Sequence, residues 1–105
     1  MKMYNPPHPG DFIRATYVEP FHLSIRLLAK YLQVAPSTIG RLINREGAVS
    51  PEMAHRLSAV LGRSPESWLA LQAQYDLWIA RKSASFAGLR SIDFNKIVTG
   101  VADYL

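Results

Sequence analysis

Residues 23–44, LSIRLLAKYLQVAPSTIGRLIN, read as two short helices joined by a tight turn. Ser24 is placed to cap the first helix, and Leu28, Ala29 and Leu32 fall on one face of it at helical spacing. Gln33-Val34-Ala35 makes the turn. Pro36 stands at the first position of the second helix, where its fixed φ suits a helix start and its missing N–H leaves no bond unmade. Ile39, Leu42 and Ile43 then face inward, and Ser37, Thr38, Gly40, Arg41, Asn44 and Arg45 are left mostly outside. This is the pattern of a helix-turn-helix, whose second helix presents polar side chains to the DNA major groove.

The charge is concentrated on this stretch and the residues just after it. Residues 1–23 hold Lys2 and Arg14 against Asp11 and Glu19. Residues 64–105 hold Arg81, Lys82, Arg90 and Lys96 against Glu66, Asp76, Asp93 and Asp103. The whole formal charge of +4 therefore arises in residues 24–63, where Arg26, Lys30, Arg41, Arg45, Arg56 and Arg63 face only Glu46 and Glu52. Such a basic surface on a helix-turn-helix is the footprint expected for binding a phosphate backbone, and the plainer alternative is a solvated face.

Upstream, residues 1–8 carry Pro6 and Pro7 and read as an extended arm. Pro9-Gly10-Asp11 leads into a helix over roughly 10–19, with Asp11 near its positive end, Phe12, Ile13 and Tyr17 as its apolar side and Pro20 as its stop. Residues 20–23 make the corner. Downstream, residues 45–49 form a loop. Ser50-Pro51-Glu52 then supplies an N-cap, a first-turn proline and a first-turn acid. The helix it opens directs Met53, Ala54, Leu57, Val60 and Leu61 to the core and ends at Gly62, a residue suited to a left-handed cap. Ser64-Pro65-Glu66 repeats the start signal, and the helix behind it reaches about Lys82. There Trp68, Leu71, Tyr75 and Trp78 recur at spacings of three and four, widened by Leu69, Leu77 and Ile79. That stripe is broader than one face of a small domain absorbs, so it reads as partly core and partly a symmetric dimer contact. Residues 83–88, SASFAG, look like a hinge, and Ile92, Ile97, Val98, Val101 and Leu105 predict a last amphipathic helix opened by Ser91 or Asp93. A lone helix of that length must dock on something. No strand signal competes, so the expected fold is all-α, with five helices and a helical C-terminal extension over 83–105.

Other classes of function are excluded on composition. A chain of 105 residues suits one domain. It contains no cysteine, which removes disulfides and thiolate chemistry, and His8, His22 and His55 stand at no metal-ligand spacing, so no metal or other cofactor is expected. Neither a membrane-spanning run nor the apolar segment of a signal peptide is visible, which predicts a soluble cytoplasmic protein without membrane partners. The acids are scattered or serve helix starts, and no nucleophile–base pair or glycine-rich phosphate loop is present, so neither catalysis nor a small-molecule substrate is expected.

Several runs resemble one family. Asn5-Pro6-Pro7-His8-Pro9-Gly10, Val18-Glu19-Pro20, Ser37-Thr38-Ile39 with Arg41-Leu42-Ile43-Asn44, residues 51–57 (PEMAHRL) and the Trp68–Trp78 stretch are similar, in collinear order over residues 5–82, to the HigA-type antitoxins, XRE-like helix-turn-helix regulators of bacterial toxin–antitoxin modules. The resemblance implies a lambda-repressor-like domain and a homodimer. It also implies binding to double-stranded operator DNA to repress its own operon, and neutralisation of a HigB-type, RelE-like mRNA-endonuclease toxin. Base reading would fall to Pro36, Ser37, Gly40 and Arg41, phosphate contact to Arg26, Thr38, Asn44 and Arg45, and the dimer contact to Trp68, Leu71, Tyr75 and Trp78.

Pro36 and Gly40 narrow what that face can read. Pro36 offers an apolar contact, for instance to a thymine methyl, and Gly40 offers no side chain, so direct readout rests on Ser37 and on Arg41, whose fork fits guanine O6 and N7. Ile25 and Leu27 likewise replace polar residues common among relatives. Two alternatives follow: a free-standing regulator without a toxin, and a protein-interaction module that has lost DNA binding.

Overall fold

His8 starts the first helix by accepting a hydrogen bond from the Gly10 N–H at its own Nδ1 (2.9 Å), with Pro9 at the first helical position. The computed structural model describes residues 5–99, and among these every regular element is helical. Helix α1 covers residues 9–21 and changes register on the way. It is α-helical over Pro9–Ile13, π-helical over Arg14–Val18 and α-helical again over Glu19–Phe21. Sequence reading ends this helix at Pro20, yet the helix passes through Pro20 to Phe21 and is capped by His22 in the left-handed region with φ 52°. A proline in a regular helix lacks the N–H for its carbonyl partner and crowds it, and the wider π turn just before Pro20 removes that conflict.

Serine hydroxyls start three further helices. Ser24 Oγ accepts from the Leu27 N–H (3.0 Å) at the head of α2 (Ile25–Leu32), and α3 (Pro36–Ile43) follows after the turn. Ser50 Oγ accepts from Met53 N–H (3.1 Å) at α4 (Pro51–Leu61), and Ser64 Oγ from Ser67 N–H (3.0 Å) at α5 (Pro65–Ser83). Gly62, between α4 and α5, takes φ 99° and ψ −169°, a positive-φ conformation outside the left-handed helical well expected for it.

Packing follows the apolar spacing. Leu28, Ala29 and Leu32 of α2, and Ile39, Leu42 and Ile43 of α3, are the buried residues of those helices. They meet Ile13, Val49, Met53, Ala54, Leu57 and Trp68, while Val60 and Leu61 are only half-buried at the edge. Helix α1 lies against α3 and α5, and α4 against α2 and α5. The loop before α4 is fixed by a contact that local patterning does not show: buried Gln72 accepts the Val49 N–H at Oε1 (2.8 Å) and donates from Nε2 to Asp76 (3.0 Å).

Beyond Ser83 the chain leaves the domain. Residues 84–93 are exposed and without regular structure apart from a turn at 87–88, and α6 (Phe94–Thr99) begins after Asp93, whose Oδ1 accepts from the Asn95 N–H (3.1 Å). Phe86, Leu89, Ile92 and Phe94 are all exposed, and the described chain spans 63 × 29 × 22 Å. The continuation of the last helix through Val101 to Leu105 lies outside the described residues.

Candidate nucleic-acid interface

The face expected to meet DNA is built on a braced pair of helices. Arg14 of α1 donates from one Nη to the Ile43 carbonyl (3.0 Å) and to Asn44 Oδ1 (3.2 Å), closing the C-terminus of α3. Arg56 of α4 does the same for α2, donating to the carbonyls of Leu32 (2.8 Å) and Gln33 (3.3 Å) while pairing with Glu52 (2.8 Å). Gln33 itself takes a left-handed φ of 60° to turn the chain between the two helices. Two of the charges counted at the sequence level therefore hold helix ends in place.

His8 adds a third brace. Its Nε2 donates to the Gly47 carbonyl (3.1 Å), tying the N-terminal segment to the loop after α3, and the Tyr75 ring stands edge-on at 4.9 Å. With Nδ1 accepting from Gly10, the imidazole is neutral. Pro6 and His8 are buried, so the end of the extended arm is part of the domain wall. Sequence reading leaves His8 in the arm, although Pro9, which takes the first helical position, could have marked residue 8 as a cap.

On this frame Pro36, Ser37, Arg41, Asn44 and Arg45 are exposed and Thr38 and Gly40 half-exposed along α3 and its C-terminal end, with Arg26 exposed on α2. Arg45 is not an isolated cation: Asp11 binds it through Nε (2.9 Å to Oδ2) and Nη2 (2.7 Å), and the pairing raises the Arg45 pKa. Among the described residues Arg26, Lys30 and Arg41 have no ion-pair partner. Sequence patterning had no means of separating these from Arg45 and Arg56. Trp68 is also placed differently from its expected dimer role, since it is fully buried in this chain's own core, whereas Leu71, Tyr75 and Trp78 are half-buried and Leu77 and Ile79 exposed.

Residues 15–68 match the helix-turn-helix family model. The chain belongs to the helix-turn-helix family and is a relative of the HigA-type antitoxins. It is 41% identical over 92 residues to an HTH-type transcriptional regulator of Escherichia coli, YddM, covering 88% of this chain and 97% of that one. It is 34% identical over 76 residues to antitoxin HigA-1 of Vibrio cholerae, covering 72% and 71%. The fold superposes on antitoxin GraA with a TM-score of 0.80 at 32% identity, covering 86% of this chain and 100% of that chain, and on GraA in complex with its operator with a TM-score of 0.79. The all-helical, lambda-repressor-like fold is thereby shown, in a family of DNA-binding regulators rather than enzymes. Among the described residues no helix is long and apolar enough to cross a membrane.

The buried, neutral His8 sets a pH dependence. Desolvation lowers its pKa below the ordinary 6.5, against a smaller upward pull from the Gly47 carbonyl. Unfolded chain takes up a proton at 6.5 while folded chain resists to lower pH, so His8 favours folding fully above about pH 6.5 and progressively less as pH falls through that value. In thermal melts between pH 8 and 5, the parent is expected to lose stability on the acid side and His8→Gln to show a flatter profile. Superimposable profiles would remove His8 as the cause.

Proposed function

We propose that this protein is an autoregulatory antitoxin: a homodimer that binds operator DNA through α3 and neutralises a HigB-like, RelE-like mRNA endonuclease by direct binding. The observation that carries the reading is the braced, exposed face of α3 on a fold that superposes along nearly its whole length on an antitoxin bound to its operator. Pro36, Ser37, Gly40 and Arg41 would face base edges, and Arg26, Thr38, Asn44 and Arg45 phosphates. The dimer contact would use Leu71, Tyr75 and Trp78 with the exposed Leu77 and Ile79 beside them. Co-purification with the product of the adjacent gene, followed by a gel shift on the upstream DNA, tests both halves. The long match to YddM favours a second reading, a free-standing regulator, which absence of any toxin-like neighbour would support. No gel shift at low or physiological salt would leave only the interaction module.

Arg41→Ala is expected to cost about 1–3 kcal/mol on the cognate operator and to relax its sequence preference. Equal binding of parent and variant across operator variants would sink that assignment. Arg45→Ala should weaken all sequences alike and flatten the salt dependence by less than about one unit of slope, because Asp11 already offsets its charge. Titrations at several salt concentrations check it.

A further inference from the structure

Among the described residues, two apolar surfaces lack a partner, and they lie at opposite ends of α5. One is a groove of about 280 Å³ lined by Leu23, Leu27, Leu28, Tyr31, Val60 and Leu61, next to the corner from which α5 departs. Tyr31 on its wall is 65% exposed. The other is the segment after α5, where Phe86, Leu89, Ile92 and Phe94 are uncovered, Leu89 to 75%. We propose that the 84–94 segment of one protomer lies in this groove of its partner, so that the two copies exchange C-terminal segments reciprocally. The proposal rests on the α5 dimer contact proposed above.

Reach excludes the same chain for the nearer anchors. Helix α5 has 19 residues, about 28 Å. Leu89 is six residues past Ser83 and extends at most about 21 Å, short of its own groove at the far end of α5. In an antiparallel α5 pair the distance disappears. With the two-fold axis near residues 74–75, position 83 of one helix stands opposite positions 65–67 of the other, four to seven residues after the groove-lining Val60 and Leu61.

Charge selects that orientation. The same register sets the exposed Arg81 and Lys82 of one helix against the exposed Glu66 of the other, and places each C-terminal helix end beside a partner N-terminus. Surface area favours the exchange as well. Leu71, Tyr75 and Trp78 are already half-covered within their own chain, which leaves the α5 stripe less to contribute toward the roughly 800 Å² per partner typical of a stable interface. Phe86 and Phe94, 55% and 68% exposed, still have more than half of their surface to cover.

The chain has no cysteine, which makes a directed cross-link clean. Full-length Tyr31→Cys and Leu89→Cys chains, co-expressed and treated with a short bis-maleimide, are expected to give a covalent heterodimer at least tenfold faster than Leu89→Cys with Ala48→Cys. The parent should be a dimer by sedimentation equilibrium, and Leu89→Asp combined with Phe94→Asp should raise its dissociation constant at least tenfold with the melting of the domain unchanged. A dimer without the preferential 31–89 cross-link overturns the exchange and leaves the α5 contact standing. A monomeric parent overturns both. Cross-linking within a monomeric Tyr31→Cys, Leu89→Cys chain shows the chain's own segment in the groove, and cross-linking of the mixed chains no faster than the control leaves the groove to another protein; either result also refutes the exchange.

Discussion

Gly10→Ala is expected to lower the melting temperature by about 12–24 °C, whereas Gly40→Ala, the same chemical change, raises it. At Gly10 a Cβ would overlap the Leu42 carbonyl oxygen and stand 3.0 Å from the Ile43 Cα. These are backbone atoms of α3, and Ile43 is further held because Arg14 donates to its carbonyl. No flexible side chain can give way, so α1 must separate from the C-terminus of α3. Overpacking of this kind costs about 3 kcal/mol or more, and each kcal/mol moves the midpoint of a domain this size by about 4–8 °C. The same separation loosens the His8 bridge to Gly47, so operator affinity should fall with stability. At Gly40 nothing lies within 4 Å of the added methyl, and alanine in a helix interior gains about 0.5–1 kcal/mol over glycine. Melts followed by circular dichroism compare the two. Equal shifts of one sign would show that the α1–α3 contact is not as close as described.

What sequence patterning made visible here is what is encoded within a few residues. Ser24, Ser50 and Ser64 each cap the N–H three residues on, and the buried triplets of α2 and α3 are those the spacing selects, because caps and amphipathic faces are local properties. The braces of the candidate site join residues far apart. His8 meets Gly47, Asp11 meets Arg45, Arg56 meets Leu32 and Gln72 meets Val49, over separations of 23 to 39 residues. No local signal tells an arginine held by a distant partner from one without an ion pair, so patterning did not separate Arg56, which closes a helix end, or Arg45, paired with Asp11, from Arg41. The π turn before Pro20 was hidden for a related reason: proline signals a stop, and whether the preceding turn widens instead depends on how the α1–α2 corner packs.

Trp68→Ala is expected to cost about 3–5 kcal/mol of folding stability, a large part of the 5–15 kcal/mol typical of a small domain. The indole is fully buried where α1, α4 and α5 meet, with the Phe12 ring at 5.8 Å and the Tyr17 ring at 6.4 Å. Its Nε1 donates to the Gly62 carbonyl (2.8 Å), fixing the α4–α5 corner, and the Arg63 guanidinium lies over both Phe12 (4.9 Å) and Trp68 (5.4 Å). Alanine leaves a cavity that these rings cannot close together and releases Arg63. Trp68→Phe should retain most of the packing and lose mainly the bond to Gly62, about 1 kcal/mol, since that residue is exposed and water can reach its carbonyl. The contrast also decides between two uses of the aromatic stripe. If Trp68 serves the core, its alanine variant unfolds more easily in urea at any protein concentration, whereas Leu77→Asp, on the exposed side of the same helix, raises the dimer dissociation constant and barely moves the stability of the monomer. A Trp68→Ala chain that kept its monomer stability and only dissociated would return this residue to the interface. The indole occupies the corner between α4 and α5, however, and α3 keeps its position through α1, which packs on both α3 and α5. Loss of operator binding should therefore track loss of folded protein in Trp68→Ala, not loss of the dimer.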